Sequence, residues 1–318
     1  MVQVGAELAH SVKAKTTAVK ALTKSDNSPV TIADMGIQAV AGALLERYFP
    51  SSRLMAEENS SVLQASHGEA HLKEIMEHVG SFMKGATPEK VCHWIDYGAN
   101  VSGNSFWILD PIDGTKGFLR GGQYATALAF IDHGKVKLSA LGCPELELPG
   151  YGELGKGVML LAMLGKGCWA ASLKNRERWE RLRVSTCRDI AQARVLDSFE
   201  LQHKNSATNL SIKKTLGILS DPIPMDSQAK HAVLAAGGAE IFFRALPGRD
   251  LLRREKIWDV APGAFAIEEA GGRVTDLSGA VMDYSMGNVL ERNPGFVATN
   301  GFFHDAVLES IRKIHPSF

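Results

Sequence analysis

The sequence has few cysteines and no long apolar run, and these shortages exclude several classes of protein. Its cysteines lie too far apart for a zinc knuckle or a redox Cys-x-x-Cys pair. They are Cys92, Cys143, Cys168 and Cys187. We interpret them as buried or unreactive thiols in a reducing compartment, with Cys92 the one to watch for redox control. No apolar run approaches the roughly 20 residues that span a bilayer, so we expect no membrane partner.

Net charge is also lacking, because 35 Lys and Arg residues balance 35 Asp and Glu residues. Without a general basic field we expect no nucleic-acid partner, and an anionic ligand must be met by a local site. The N-terminus has neither a signal-peptide core nor an Arg-rich transit pattern. We therefore expect a cytoplasmic location, or an organellar one if a targeting segment has been removed. The sequence is compatible with a monomer and with a homodimer.

The spacing of apolar residues predicts a mixed α and β protein. A chain of 318 residues is too long for one small core, so we expect two domains. Helices are predicted over 4–22, 34–48, 72–82, 207–216, 228–236, 257–270 and 303–314, and strands over 53–56, 106–109, 125–131, 136–141, 168–170, 195–198, 223–225, 241–243, 273–276 and 296–298. The hairpin in the first half is typical of an α+β domain, and the alternation in the second half favours an α/β layer.

Three polar stretches lie between these elements. We interpret residues 23–29 as a mobile loop, 60–104 as an excursion between two core strands that contains one helix, and the charged run 174–183 as a solvated turn.

The most informative stretch is an apolar strand that ends in two acids. The segment 106–109 is short, apolar and aromatic-rich, and Pro111 predicts that the strand stops where the acids begin. Asp110 and Asp113 can converge across the turn with the carbonyl of Ile112 between them, and Mg²⁺ and similar cations prefer such oxygens. An ordinary surface turn would explain a single Asp-Pro pair equally well.

Other acids occupy similar positions at the ends of predicted elements. Asp34 lies in the first turn of a helix, Glu57 follows a short strand and Asp259 begins a helix. Each has a structural explanation, since carboxylates favour helix N-termini and a glutamate pair is usually solvated surface. Together with Asp110 and Asp113, without cysteine or histidine partners, they indicate a Mg²⁺ site.

Longer motifs resemble a known family. Asp110-Pro-Ile-Asp-Gly-Thr115, Glu57-Glu58 after a short strand, and Trp258-Asp259 ahead of Glu269-Ala-Gly-Gly272 are similar to the signature of the Mg²⁺-dependent, lithium-sensitive phosphatases that include inositol monophosphatase. The segments 28–34, 116–120, 225–230 and 255–259 resemble the 3′(2′),5′-bisphosphate nucleotidases of yeast and plants.

The resemblance implies a fold and a reaction. The fold would be a layered αβαβα sandwich, with an α+β domain over 1–172 carrying most metal ligands and an α/β domain over 173–318 carrying the nucleotide-binding residues and the last metal ligand. The small-molecule substrate would be 3′-phosphoadenosine 5′-phosphate, cleaved to AMP and phosphate. Its sulfated relative, 3′-phosphoadenosine 5′-phosphosulfate, would be a second substrate.

The resemblance also implies roles for individual residues. Two or three Mg²⁺ ions would be held by Glu57, Asp110, the Ile112 carbonyl, Asp113 and Asp259. Asp34 and Thr115 would orient and deprotonate the attacking water. The substrate would be contacted by Thr115, His203, Ser227, Lys230, Arg244 and Asp259. On its residues alone, His203 would be surface and Arg244 a strand-end charge.

Two alternatives and one departure from the pattern accompany this assignment. An inositol mono- or polyphosphate phosphatase would use the same metals, and a catalytically idle relative would bind nucleotide as a sensor. Val260 and Pro262 depart from the His-Ala-Ala-Gly that more often follows Trp-Asp in the nucleotidases. We place Pro262 in the first helical turn, where proline is tolerated, and expect intact metal binding.

Overall fold

The computed structural model describes residues 1–15, 21–23, 29–64, 68–99, 103–199, 206–244 and 254–315. Its helices are α1 Val2–Lys15, α2 Ile32–Tyr48, α3 Gly68–Gly80, α4 Pro88–Ile95, α5 Thr115–Arg120, α6 Ser206–Leu216, α7 Ala229–Ala235, α8 Ile257–Glu269 and α9 His304–Ile314, with 3₁₀ turns at Ser60–Gln64, Gly152–Leu154 and Ile190–Gln192. Its strands are β1 Ala21–Thr23, β2 Pro29–Thr31, β3 Arg53–Ala56, β4 Ser105–Asp113, β5 Ala125–Asp132, β6 Lys135–Glu147, β7 Lys156–Met163, β8 Gly167–Ser172, β9 Trp179–Arg181, β10 Val195–Ser198, β11 Ile223–Met225, β12 Ile241–Arg244, β13 Arg273–Thr275 and β14 Phe296–Thr299.

The larger sheet runs in chain order from β3 to β9. Only its first pair is parallel, with Ala56 of β3 opposite Leu109 of β4, and the other pairs are antiparallel. The Glu57 amide then donates to the Leu109 carbonyl at 3.3 Å. Because parallel strands end at the same edge of a sheet, Glu57 and Asp110 leave this pair side by side.

The smaller sheet has the order β11-β10-β12-β14-β13, and β10 lies parallel to β11 and β12. Helices α7 and α8 lie between the two sheets, where their apolar residues share one core with inner residues of both sheets. Helices α1 to α4 cover the outside of the larger sheet, and α6 and α9 cover the smaller one. This layering confirms the predicted α+β sandwich class.

The structure corrects several predicted boundaries. β4 continues through Pro111 to Asp113, because an irregularity in the register between Asp110 and Asp113 accommodates a residue that cannot donate to the ladder. The described part of the predicted helix 4–22 is Val2–Lys15, residues 16–20 lie outside the described residues, and Ala21–Thr23 pairs with Pro29–Thr31 as a strand. Thr23 and Pro29, the ends of the predicted loop 23–29, are strand residues, and residues 24–28 lie outside the described residues.

Among the elements that were not predicted are α4, α5 and β9. The excursion after Ser60 contains a second helix, α4, which Thr87 caps and Pro88 begins. The charged run contains β9, the last strand of the larger sheet. The two sheets thus divide between Arg181 and Val195, while the domain boundary at 172/173 stays a prediction.

Candidate active site

Three carboxylates from two elements meet at one edge of the larger sheet. Asp110 and Asp113 come from the irregular end of β4, and Asp259 comes from the first turn of α8. Each offers an oxygen that lies within 4.8 Å of the others. Glu57, at the end of the neighbouring strand, lines the same cavity as Asp113 and Asp259. The structure therefore brings Asp110, Asp113 and Asp259 together and places Glu57 at the adjoining cavity, while their role as metal ligands stays a prediction.

Burial and mutual repulsion disfavour the charged forms of Asp110, Asp113 and Asp259. Burial raises the pKa of Asp110 well above its usual range, and the charges of Glu57 and Asp113 raise it further. Burial is also the main cause of the raised pKa of Asp259, followed by Asp113. The pKa of Asp113 rises through burial, although Lys230 and the amide of Gln228 oppose the shift.

A bound cation would relieve this repulsion. Within the described residues, Asp110 Oδ1 is buried and accepts no hydrogen bond. The ligating atoms are carboxylate oxygens, which suit a hard cation such as Mg²⁺. The residues present therefore fit a divalent metal centre.

Asp34 and Thr115 flank this cluster. Thr31 caps α2, and Asp34 Oδ2 accepts from the Thr31 amide at 2.8 Å and from its hydroxyl at 2.6 Å. Asp34 is close enough for its charge to contribute to the raised pKa of Asp110. Thr115 Oγ1 donates to the Ile112 carbonyl at 3.1 Å. The proposed Asp34–Thr115 relay stays a prediction.

A cavity of about 220 Å³ opens beside the acids. Besides the acids Glu57, Asp113 and Asp259, its lining includes Gly114, Thr115, Lys116, Gly117, Ser198, Asp226, Ser227, Gln228, Lys230, His231, Phe242, Arg244 and Phe296. Both sheets and both central helices thus contribute to one site, as expected for a ligand cavity at a layer interface.

Two cations, Lys230 and Arg244, line the same cavity as the acids. Burial, followed by the charge of Arg244, lowers the pKa of Lys230 to about 8. Burial disfavours the charged Arg244, but Glu255, Asp259 and Asp113 outweigh it and raise its pKa. Arg244 Nη1 lies 2.6 Å from Glu255 Oε2, and Lys230 Nζ donates to the Met225 carbonyl at 2.9 Å. The cavity therefore has acidic residues that suit a metal ion beside basic residues that suit an anion.

Close packing joins the acid turn to the segment before α7. Gly114 has a φ of 86°, and a Cβ at this position would lie 2.9 Å from Ser227 Cβ. Ser227 itself has a φ of 61°, a conformation that non-glycine residues rarely adopt. Arg120 at the end of α5 pairs with Asp226 at 2.5 Å. The segment from Gly114 to Arg120 is thus held against Asp226 and Ser227, which precede α7.

Most predicted site residues lie at this cavity, and one lies outside the described residues. Ser227, Lys230 and Arg244 line it, as does Thr115. His203 is outside the described residues.

Other lining residues were given no role from the sequence. They include Gln228, the buried His231, and Phe242 and Phe296, which pack against the His231 ring. The sequence contained one indirect indication of such a residue. Pro262 within a helix leaves a backbone carbonyl without its donor, so some side chain must donate to that carbonyl.

Comparisons with known proteins agree with this geometry. The family model described as the inositol monophosphatase family matches residues 1–315, so the chain belongs to that family. It is 37% identical over 312 residues to a 3′(2′),5′-bisphosphate nucleotidase of Schizosaccharomyces pombe, covering 94% of this chain and 88% of the relative. It is 36% identical to 3′,5′-bisphosphate nucleotidase 2 of Arabidopsis thaliana, covering 98% and 94% of the two chains. The predicted resemblance is confirmed.

Solved structures share the fold. The Thermotoga maritima IMPase aligns with a TM-score of 0.67 at 21% identity, covering 99% of this chain and 95% of that one. An IMPase/NADP phosphatase in complex with Mg²⁺ and phosphate aligns with a TM-score of 0.61 at 20% identity, covering 96% and 90%. In the described part of the chain, each helix is too short or too polar to cross a membrane.

Proposed function

We propose that this chain is a Mg²⁺-dependent phosphatase that converts 3′-phosphoadenosine 5′-phosphate to AMP and phosphate, with 3′-phosphoadenosine 5′-phosphosulfate as a second substrate. The observation that carries the proposal is the placement of clustered acids and two cations on one cavity. The nucleotidases among the relatives of this chain support the choice of substrate.

Two or three Mg²⁺ ions would be held by the acids and one carbonyl. The ligands would be Glu57, Asp110, the Ile112 carbonyl, Asp113 and Asp259. When bound, the metal would lower the pKa of a coordinated water and stabilise negative charge on the phosphate oxygens. The chain holds these ligands on strand ends and a helix start, which fixes their positions before substrate arrives.

Asp34 and Thr115 would position the attacking water and take its proton. Thr31 holds Asp34 through two hydrogen bonds, which orient the carboxylate. The Thr115 hydroxyl is available as a relay if it turns from the Ile112 carbonyl when that oxygen binds metal. The mechanism needs no covalent phosphoenzyme.

The cationic side of the cavity would bind the phosphate that does not react. Lys230 and Arg244 would neutralise the 5′-phosphate, which explains how a chain of zero net charge can bind a polyanion. Ser227 would donate its hydroxyl, and Thr115 and Asp259 would contact the reacting end. His203 would contact the nucleotide.

Phosphate release measured on separate substrates tests the proposal. With Mg²⁺ present, 3′-phosphoadenosine 5′-phosphate should be cleaved faster than inositol monophosphate or an inositol polyphosphate. A preference for an inositol substrate would make the chain an inositol phosphatase. Nucleotide binding without Mg²⁺-dependent turnover of either substrate would indicate a sensor.

A further inference from the structure

Helix α8 contains a break in its backbone hydrogen bonding next to the metal site. Pro262 is its sixth residue, not a member of the first turn as the sequence suggested. Proline has no amide hydrogen, so the Trp258 carbonyl cannot receive the usual bond from residue 262. The break therefore lies beside Asp259, whose backbone follows directly from that carbonyl.

The side chain of Gln228 fills this break. Its Nε2 donates to the Trp258 carbonyl at 2.9 Å, and its Oε1 accepts from the Gly263 amide at 2.9 Å. The residue is only 1% exposed, so water cannot replace either bond readily. A carboxamide matches the gap because it places a donor nitrogen and an acceptor oxygen on one short, planar group.

The backbone of Gln228 binds the other side of the metal site. Its amide donates to Asp113 Oδ2 in a short hydrogen bond. One residue thus contacts a candidate metal ligand on β4 through its main chain and the turn that carries a second ligand, Asp259, through its side chain. The hydrogen bonds connect segments that are 115 and 30 positions away in the sequence.

Close packing between α7 and α8 holds Gln228 at this junction. His231 lies three residues further along and packs against Gly263, where an added Cβ would lie 2.4 Å from His231 Cγ. Gln228 and His231 therefore contact the same turn of α8, Gln228 by hydrogen bonds and His231 by van der Waals contact.

We propose that Gln228 is a positioning residue that couples Asp113 to Asp259 by replacing the hydrogen bond that Pro262 removes from α8. This inference rests on the proposed function, in which both acids bind Mg²⁺. Its distinctive consequence is that Gln228 matters because residue 262 is proline. Restoring the amide at residue 262 should make the Gln228 side chain largely dispensable.

A double-mutant cycle on the full chain tests this dependence. Gln228→Met keeps the size and the main-chain bond to Asp113 but removes both side-chain bonds. Pro262→Ala returns an amide to the helix. The Mg²⁺ dissociation constant is measured by calorimetry without substrate, and the melting temperature (Tm) is measured without metal. Asn300→Leu is the control, because Asn300 is a buried amide that bonds the Ser185 and Cys187 carbonyls away from the cavity.

We expect Gln228→Met to weaken Mg²⁺ binding about tenfold or more, the usual effect of losing a group that orients a ligand. In the Pro262→Ala background the same change should cost less than about threefold, since the two sites are directly coupled. Asn300→Leu should lower Tm without changing the Mg²⁺ dissociation constant. If Gln228→Met folds only when combined with Pro262→Ala, the rescue also supports the coupling.

Equal losses in both backgrounds, unchanged Mg²⁺ binding in Gln228→Met, or failure of Pro262→Ala to rescue a misfolded Gln228→Met would overturn the inference. Absence of Mg²⁺ binding by the wild-type chain would be a different result. It would refute the proposed function and, with it, the coupling of two metal ligands.

Discussion

Asp113 stands between the other acids and the positive side of the cavity. Replacing it with asparagine removes a charged ligand but keeps an oxygen that can accept from the Gln228 amide. We expect Asp113→Asn to reduce Mg²⁺-dependent phosphate release about a hundredfold or more, because several kcal/mol of charge stabilisation depend on the metal. The metal-free Tm should stay the same or rise, since one repelling charge is lost.

An exposed acid provides the control for Asp113. Asp305 pairs with Arg273 at 2.8 Å on the surface, and Asp305→Asn should leave phosphate release unchanged. If Asp113→Asn kept activity within a few fold of the wild type, the metal assignment would be wrong.

Lys230 gives a prediction about pH because its pKa is lowered to about 8 by burial and then by Arg244. The side chain is charged below that pH and neutral above it, so KM for the nucleotide should rise as pH increases through 8. Between about 8 and 10.5 the unfolded chain holds the extra proton, so this group's contribution to stability increases with pH. The measurement is KM against pH at saturating Mg²⁺.

Lys230→Met separates this effect from other titrations. The variant should raise KM roughly tenfold or more and remove the rise near pH 8, because a hydrogen bond to a charged group is lost. Lys156→Met is the control, since Lys156 is an exposed partner of Glu145. A variant that kept the wild-type dependence of KM on pH would show that Lys230 does not bind the phosphate.

The contact between α7 and α8 is tested at Gly263. Alanine normally favours a helix interior by up to about 1 kcal/mol over glycine. At this position the added methyl would lie 2.4 Å from His231 Cγ, so Gly263→Ala should instead destabilise the fold by about 1–3 kcal/mol. The free energy of unfolding in urea measures the change.

Gly80→Ala is the matched substitution at the end of α3. No atom lies within 4 Å of the Cβ position there in the described structure, so its stability should be unchanged or slightly increased. Equal stabilities for the two variants would mean that α7 and α8 can separate without cost.

At the level of elements, the sequence predicted helices and strands with a clear local pattern. It missed strands that form only because neighbouring strands pair with them. α2 could be predicted because Thr31 and Asp34 form its cap before a run of apolar residues. α4 had a readable start at Thr87 and Pro88, but its apolar face is short. β9 and the extension of β4 could not be predicted, because pairing with β8 and β5 decides whether those residues form strands.

At the level of the whole molecule, the sequence predicted the acidic residues of the site but not Gln228, the residue proposed to hold two of them in position. Each acid follows a local signal, the end of a strand or the start of a helix, and the family resemblance joins these signals into one site. Gln228 has no such signal in its own segment. Its importance arises from a proline 34 positions later and from the packing of two helices, which a linear sequence does not show.

The stability of the whole chain should respond to Mg²⁺ in a way that depends on pH. The pKa values of Asp110 and Asp259 are raised above 3.8 by burial and then by neighbouring acids, so the folded state holds protons that the unfolded state has lost. Without metal, this contribution to stability is complete below the unfolded pKa and is lost as pH rises through the folded pKa.

Mg²⁺ needs deprotonated ligands, so the rise in Tm that it causes should be larger at pH 8 than at about pH 5.5. At a concentration 100 times its dissociation constant, one ion should add about 2.7 kcal/mol. Thermal melts with Mg²⁺ or with a chelator measure this, and Asp113→Asn should lose most of the gain. A Tm that Mg²⁺ leaves unchanged, or raises more in acid, would show that these carboxylates do not form the metal site.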